Sequence, residues 1–410
     1  MEHGERRGVQ IALFIGGNVL FATGLIFHAF LYNFYIEALG LSTEVMGHAA
    51  SFLTGGSLTA LIPAGLLADR AGHRTTLLIG AVVLTVGLAL GAVATAPAAV
   101  WGAAVVAGAG SAFWRVAMAP VLMRLTTPTS RARAFAWNIG LVSGWNGAGV
   151  AIAGAASVWL ETRWSLARLP ALRVTLLLGA AGSAASLLLY HRLHVGQDAA
   201  AAAPPPAPSE SAAPDPTRAM LPLIALLGVW MVGPALASQF FNIFFSHVHR
   251  LSIERIAFVF AAASWCWAVL VLASGEVASR VGVGRVLWAT LLAFAPAIWG
   301  LSLAASVELA VALYFVQGLI APVATPLIDQ WLLGQTPAAH QGAVSSWRQV
   351  AADVSTMVGA SLGGWLLAVG TFHALFLVAG AMGMLGGLGV IAGARLHARE
   401  RAGTGPPASA

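Results

Sequence analysis

Twelve times between Val9 and Arg395 the chain runs for about 20 residues or more on mainly apolar side chains, and most of its charge sits in the short gaps between. A helix rises 1.5 Å per residue, so such a run crosses the roughly 30 Å hydrocarbon core of a bilayer. In lipid the helix satisfies its own backbone, and neighbouring helices make the scattered Gly and Pro tolerable. The runs lie near 9–36, 44–68, 75–96, 98–124, 133–159, 171–193, 220–246, 253–278, 285–304, 307–333, 341–369 and 372–395. Hydrophobic residues make up 59% of the 410 and charged ones 9%, too little polar surface to cover a soluble domain. The first run continues to about Phe34 without a small-residue cleavage site, so it reads as a spanning helix and not as a signal-peptide core.

All 21 basic residues are arginine. The sequence pI of 10.6 is high, but no basic stripe with interleaved aromatics points to nucleic acid. One cysteine, Cys266, lies inside an apolar run, which excludes an intrachain disulfide and a cysteine metal site. Neither a metal nor a cofactor is expected. Arg163, Arg168, Arg173, Arg250 and Arg255 belong to the outer segments, in or at the edge of gaps on one side of the membrane, and Arg115 and Arg348 fall deep inside runs. The other fourteen of the 21, including Arg6, Arg7, Arg70, Arg74, Arg124, Arg131 and Arg133, fall on the opposite side. By the positive-inside rule that side is cytoplasmic, and both termini lie there.

Residues 194–219, HVGQDAAAAAPPPAPSESAAPDPTRA, cannot pack a core and read as a solvated cytoplasmic linker. The expected organisation is a six-helix bundle over 1–193, the linker, a second six-helix bundle over 220–396 and a disordered cytoplasmic tail over 397–410. The halves repeat one another. Gly65, Arg70 and Gly72 match Gly275, Arg280 and Gly282 at an offset of 210, which also pairs Trp137 with Trp347, Gly154 with Gly364 and Leu41-Ser42 with Leu251-Ser252. Asn33 pairs with Asn242 at 209. A shared offset in separate regions marks a duplication, and such repeats characterise secondary transporters with a substrate site near the midplane where the halves meet.

The gap between the second and third spans reads Gly65-Leu-Leu-Ala-Asp-Arg-Ala-Gly-His-Arg74. It resembles the G-x-L-x-D-R-x-G-R-[R/K] signature of the major facilitator superfamily, and with twelve spans and a central linker the likeness covers nearly the whole chain. His73 stands where arginine is usual. The second copy, GEVASRVGVGR at 275–285, has Ser279 in place of the acid. The resemblance implies an all-α membrane protein, with two pseudo-symmetric six-helix bundles of the bacterial twelve-helix type. It also implies a gate built from Gly65, Asp69, Arg70, Gly72 and Arg74, in which Asp69 meets the positive N-terminal end of span eleven on the cytoplasmic side. The simpler reading, that Arg70, His73 and Arg74 only anchor topology, leaves Asp69 and the glycines without a purpose.

Charge at membrane depth is costly, about 2.5–3.5 kcal/mol on insertion scales, so buried polar residues are the functional candidates. The resemblance places spans 1, 4, 7 and 10 around the cavity. His28, Tyr32 and Tyr35 share one face of span one, and Gln239, Asn242 and Ser246 are expected to share one face of span seven. With Arg115 as a fixed cation these are the substrate-cavity candidates; a structural partner for Arg115 and helix-to-helix hydrogen bonds for Asn33 and Asn242 are the alternatives. Asp353 and His28 are the proton-coupling candidates. Asp329, Arg348 and Arg124 are candidates for a cytoplasmic gate, Asp329 pairing with either arginine. Trp114, Trp137, Trp145, Trp265, Trp267 and Trp347 either shape an apolar cavity or pack the core. The spacings Gly140-x-x-x-Gly144 and Gly359-x-x-x-Gly363 suit close helix packing. Span five lacks the Gly-Pro pair of the family's antiporter signature.

No nucleotide-binding or hydrolase motif is present, so the chain is not expected to be an enzyme. The function expected is secondary active transport of a small organic solute by alternating access, coupled to protons and directed outward. Uptake of an organic anion or neutral metabolite, and a non-transporting sensor or scaffold with the same fold, are the alternatives. Expected partners are the solute, the proton and the lipid bilayer, for a monomer in the bacterial cytoplasmic (inner) membrane.

Overall fold

The computed structural model describes residues 2–194 and 216–403, without the side chains of 2–6, 216, 272–274 and 398–403. Most of the expected linker lies outside these residues. The described chain is helical throughout: α1 Glu2–Ala38, α2 Thr43–Ala71, α3 His73–Val93, α4 Pro97–Leu125, α5 Pro128–Arg163, α6 Arg168–His191, α7 Pro216–Ser238, α8 Phe241–His247, α9 Ile253–Val281, α10 Val283–Leu303, α11 Val307–Gly334, α12 Gln341–Val369 and α13 Phe372–Gly403, with a 3₁₀ turn Ala338–His340 before α12. Among the described residues, twelve helices are long and apolar enough to cross a membrane. α13 runs to Gly403, past the boundary that apolarity marked at 396, because Leu, Ala, Arg and Glu are good helix formers in water. Large apolar side chains such as Ile62 (76% exposed) and Leu303 (74%) point away from the protein, where hydrocarbon is their fitting solvent.

The thirteenth helix arises because span seven breaks. The run over 220–246 becomes α7 and α8, parted by Gln239 and Phe240. The backbone groups freed by the break are satisfied by side chains. The Gln239 carbonyl accepts from Asn33 Nδ2 (2.5 Å), and the Ile243 N–H donates to Asn242 Oδ1 (2.9 Å).

The chain forms two compact units that do not follow the sequence halves. One comprises 1–200 with 239–269 and 360–369; the other comprises 201–238, 270–359 and 370–410. In the first, α2 and α3 pack on α4, and α1 packs on α6 and α5. A Cβ on Gly108 of α4 would stand 2.8 Å from the Leu53 carbonyl carbon, so the α2 and α4 backbones touch, as small residues permit in membranes. Phe14, Phe21, Leu77, Leu84, Leu122 and Tyr190 fill the core. In the second unit α13 packs on α7 and α10, and Trp230 Nε1 donates to the Leu291 carbonyl (3.0 Å). A Cβ on Gly359 would lie 3.0 Å from Leu236 N, so α12 lies hard against α7.

The duplication is visible in the turns. Gly72, between α2 and α3, has φ +83°; Gly282, between α9 and α10, has φ +102°. Each N–H donates four residues back, to Ala68 and Ala278, and each carbonyl accepts from four residues on, Thr76 and Val286. At the other end, Gly40 (φ +74°) corresponds to Arg250 (φ +53°) at the same offset of 210.

Candidate functional site

At the end of the first unit that carries the α1–α2 turn, three helix pairs close a seam, and equivalent residues of the two repeats meet in it. α1 meets α8 where Asn33 Nδ2 donates to Asn242 Oδ1 (3.1 Å) and Asn242 Nδ2 donates to the Phe30 carbonyl (2.9 Å). One turn on, Glu37 Oε1 lies 2.7 Å from His247 Nε2, and Arg168 adds a 3.5 Å contact to the other oxygen. Glu37 and His247 are themselves 210 apart. α2 crosses α12 at Gly47 and Gly364, where a Cβ on either would lie 2.9 Å from the other's Cα. Beside that crossing, Thr43 Oγ1 donates to the Gly364 carbonyl (3.1 Å), and the Ser51 and Ser361 hydroxyls bond at 2.7 Å.

α5 crosses α9 at Gly154, which sits directly against the Ala257 methyl. These are the repeat mates of Gly364 and Gly47, since 364 and 257 each differ from 154 and 47 by 210. Asn146 to Ser264 (3.2 Å) and Trp265 Nε1 to the Gly144 carbonyl (2.9 Å) complete that crossing. The seam thus has the internal two-fold character of the duplication. In the turn after α8, His249 is wedged against Phe244 and Phe245, and burial lowers its pKa. His247 is the histidine left to meet Glu37.

At the opposite end of the unit lies the signature turn. Asp69 and Arg70 are exposed, and Asp69 and Arg124 both lie within electrostatic reach of His73. Arg124 is exposed in the last turn of α4, where a cation suits the negative end of the helix dipole. Arg74 does the same for another helix: Nε donates to the Tyr190 carbonyl (3.4 Å) and Nη2 to that of His191, closing the C-terminus of α6. A Cβ on Gly65 would meet nothing within 4 Å.

Several candidates for the cavity are engaged elsewhere. Tyr32 and Tyr35 are buried, and their hydroxyls donate to the carbonyls of Gly91 (3.3 Å) and Ala94 (2.7 Å) at the end of α3 and just past it. Their stripe therefore faces a neighbouring helix, with His28 stacked on Tyr32 at 3.8 Å between ring centres. Gln239, Asn242 and Ser246 do not share a helical face, because Gln239 lies in the break before α8 and Asn242 is spent on α1. Arg115 Nη1 donates to Ser57 Oγ of α2 at 3.1 Å. Gly140 and Gly144 have nothing within 4 Å of a Cβ, so this spacing does not mark a close crossing here.

In the second unit Asp329 Oδ1 lies 2.5 Å from Arg348 Nε, an ion pair between α11 and α12 in which Arg348 is buried and Asp329 partly exposed. Asp353 is buried one turn beyond Gln349, which donates to its Oδ1 at 3.0 Å. Reading the sequence alone missed a further network. The buried Asn18 donates to Asn138 (2.7 Å) and accepts from Trp114 (2.9 Å) and Tyr190 (2.7 Å), tying spans one, four, five and six. Asn18 has no repeat mate to flag it. Glu37 and His247 did have such a flag, their common offset.

The sequence profile described as Major Facilitator Superfamily matches residues 13–222 and 219–409. Comparison with curated protein sequences gives no match. Among solved structures the chain is similar to the nucleoside transporter NupG, at 12% identity and a TM-score of 0.75, covering 94% of this chain and 99% of that one. It is also similar to a bacterial homologue of the human lysosomal transporter Spinster, in an inward-facing and unoccupied conformation (13%, TM-score 0.72, 95% and 96%). A D-xylose–proton symporter is a third likeness (13%, TM-score 0.70, 93% and 96%). At such identities the structures speak to fold alone, while the profile covers both halves of the sequence. A multi-pass membrane protein of twelve spanning helices, this chain belongs to the Major Facilitator Superfamily.

Proposed function

We propose that the chain is a secondary active transporter that moves a small organic solute across the bacterial cytoplasmic membrane, with both termini in the cytoplasm. Its two six-helix repeats expose the solute site to either face in turn. The seam described above carries this reading. Residues that correspond under the repeat meet at the α1·α8 crossing, the α2·α12 and α5·α9 crossings are each other's repeat mates, and contacts between small residues and single hydrogen bonds can be remade without breaking a large core. A scaffold that never opens has no need of backbone crossings held by Gly47, Gly364 and Gly154.

Proton coupling is the energy source in this reading. Asp353, buried on α12, is the first candidate carrier, and His28 the second. Asp69 and Arg70 form the gate at the signature turn, joined by Arg124 and by the Asp329–Arg348 pair on their own helices. Arg115 is the fixed cation of the solute site. The direction is export. Uptake of an organic anion or neutral metabolite is the second reading.

A reversible lock tests the mechanism. In a Cys266→Ser background, Ser51→Cys with Ser361→Cys places two thiols where hydroxyls now lie 2.7 Å apart. A thermal-shift screen supplies the solute, and flux is read in proteoliposomes under an imposed pH gradient. Oxidation is expected to lower flux at least about tenfold and reduction to restore it. A fully cross-linked protein that transports at the unlocked rate ends the alternating-access reading.

A further inference from the structure

Asp329, Arg348 and Asp353 hold roles proposed above, and one side chain without a role touches two of them. Gln349 Oε1 accepts from Arg348 Nη2 at 3.4 Å, and Gln349 Nε2 donates to Asp353 Oδ1 at 3.0 Å. Arg348 Nε in turn pairs with Asp329 Oδ1 at 2.5 Å. The four side chains form one line, Asp329, Arg348, Gln349, Asp353, which crosses from α11 to α12 and runs one turn along it. Gln349 and Asp353 are four residues apart, the spacing at which an amide on a helix reaches a carboxylate. Arg348 and Asp353 are each 8% exposed, so bulk water does not readily replace a contact that either one loses.

The amide fits this line one way round. A guanidinium has donors and no acceptor, and an ionised carboxylate has acceptors and no donor. Oε1 must therefore face Arg348, and Nε2 must face Asp353. Protonation of Asp353 reverses the demand. The carboxyl gains an O–H, a buried O–H needs an acceptor, and the amide oxygen is the acceptor at hand. When Gln349 turns over to accept it, Nε2 faces Arg348 Nη2, donor against donor. Arg348 then gives up the longer of its two contacts, and Nη2 turns to the carboxylate that Nε already meets, making a two-point pair. The proton stays on Asp353 throughout. Gln349 remains neutral, and Arg348 and Asp329 keep their charges.

We propose that Gln349 is a positioning residue that carries the charge state of Asp353 to the Asp329–Arg348 pair. With Asp353 ionised, Arg348 is shared between Gln349 and Asp329; with Asp353 protonated, Arg348 belongs to Asp329 and α11 is held more firmly to α12. This rests on the reading of Asp353 as the proton carrier and of the pair as a gate, and it supplies the link between them. The other charged or histidine groups on nearby elements of this unit are Arg218, His340, Glu308 and Arg285. Arg218 lies ten residues, about 15 Å, before Gly228, whose carbonyl accepts from Ser355. His340 Nδ1 meets Thr217 Oγ1 at 3.3 Å, Glu308 is in the first turn of α11 at the far end from Asp329, and Arg285 is exposed near the start of α10.

The test is infrared difference spectroscopy of the purified full chain in nanodiscs, between alkaline and acid buffer, with carboxyl bands assigned by their loss in Asp353→Asn and Asp329→Asn. The wild type is expected to show protonation of Asp353 together with a shift of the Asp329 carboxylate band. Gln349→Met, with Gln349→Leu as a second apolar variant, should keep the Asp353 signal and reduce the Asp329 shift about fivefold or more. Thr356→Val removes a hydroxyl that bonds within its own helix, to the Ala352 carbonyl (2.9 Å), and should leave the shift within about twofold. Thermal-shift profiles show that each variant is folded; a Gln349 that only packs would change stability without parting the two bands. An Asp329 band that still follows Asp353 in both Gln349 variants, or that never moves in the wild type, would overturn the assignment and leave the carrier reading standing. An Asp353 that stays ionised in acid would end the carrier reading and this one with it.

Discussion

The α2–α3 turn and its copy between α9 and α10 began as the same ten residues, and they have kept different things. Both keep a glycine with positive φ and the same pair of backbone hydrogen bonds, because any side chain there is strained. Their chemistry has parted. The first copy has Asp69, and its Arg74 closes the end of α6. The second has Ser279 at the acid's place, and its Arg280, the mate of Arg70, makes an exposed pair with Glu276 on the same helix (2.7 Å). Backbone geometry is demanded wherever the chain must turn between two spanning helices. The arginine survives in both copies, as Arg70 and Arg280, whereas the acid survives only in the first, which points to a role for Asp69 there.

The sharpest way to break this comparison is to exchange the charge. Asp69→Asn is expected to insert and fold normally while slowing transport about tenfold or more, whereas Ser279→Ala leaves flux within about twofold. Equal flux in the two variants would remove the gating role from Asp69. The glycines should behave alike. Gly72→Ala and Gly282→Ala each force a side chain into a backbone region that is nearly glycine-only, at a cost of about 1–3 kcal/mol, read as a lower thermal inactivation midpoint in detergent. A harmless alanine at either turn would show that the turn relaxes. The smallest contrast is between the arginines. Arg74→Gln loses a helix-end interaction of about 1 kcal/mol, while Arg280→Gln loses an exposed pair worth about 0.3–0.5 kcal/mol. If the second change were the more damaging, the reading of Arg74 as a closure for α6 would fail.

The seam makes a second comparison inside the molecule. Its α2·α12 crossing sets glycine against glycine, and its α5·α9 crossing sets glycine against alanine, although the four positions are related by one offset. The repeat in the sequence announced Gly154 and Gly364 as equivalent. It did not announce that Gly364 faces Gly47 and Gly154 faces Ala257, the mate of Gly47, because a shared offset says which residues correspond and not which ones meet.

Much of the fold was legible because lipid removes alternatives. A run of about 20 apolar residues in hydrocarbon has little choice but a helix, so twelve spans, their order and their duplication follow from local composition. Helix faces were less legible. Tyr32 and Tyr35 read as a polar stripe open to a cavity, yet their hydroxyls are taken by carbonyls at the end of α3, and helical spacing is blind to which neighbour stands opposite. The break in span seven was hidden for a related reason. The break is hard to place from local residues, since the Gln239 carbonyl it frees is satisfied by Asn33, some 206 residues away.

By itself, then, the sequence determined the solvent, the number of spans, the repeat and the family, all of which depend on properties carried by contiguous residues. Tertiary structure alone decided that Asn33 meets Asn242 and Glu37 meets His247, that Arg74 serves α6, and that Asp329 pairs with Arg348. Each of those is a pairing between helices, and the energy of a pairing depends on a distance that exists only once both helices are in place.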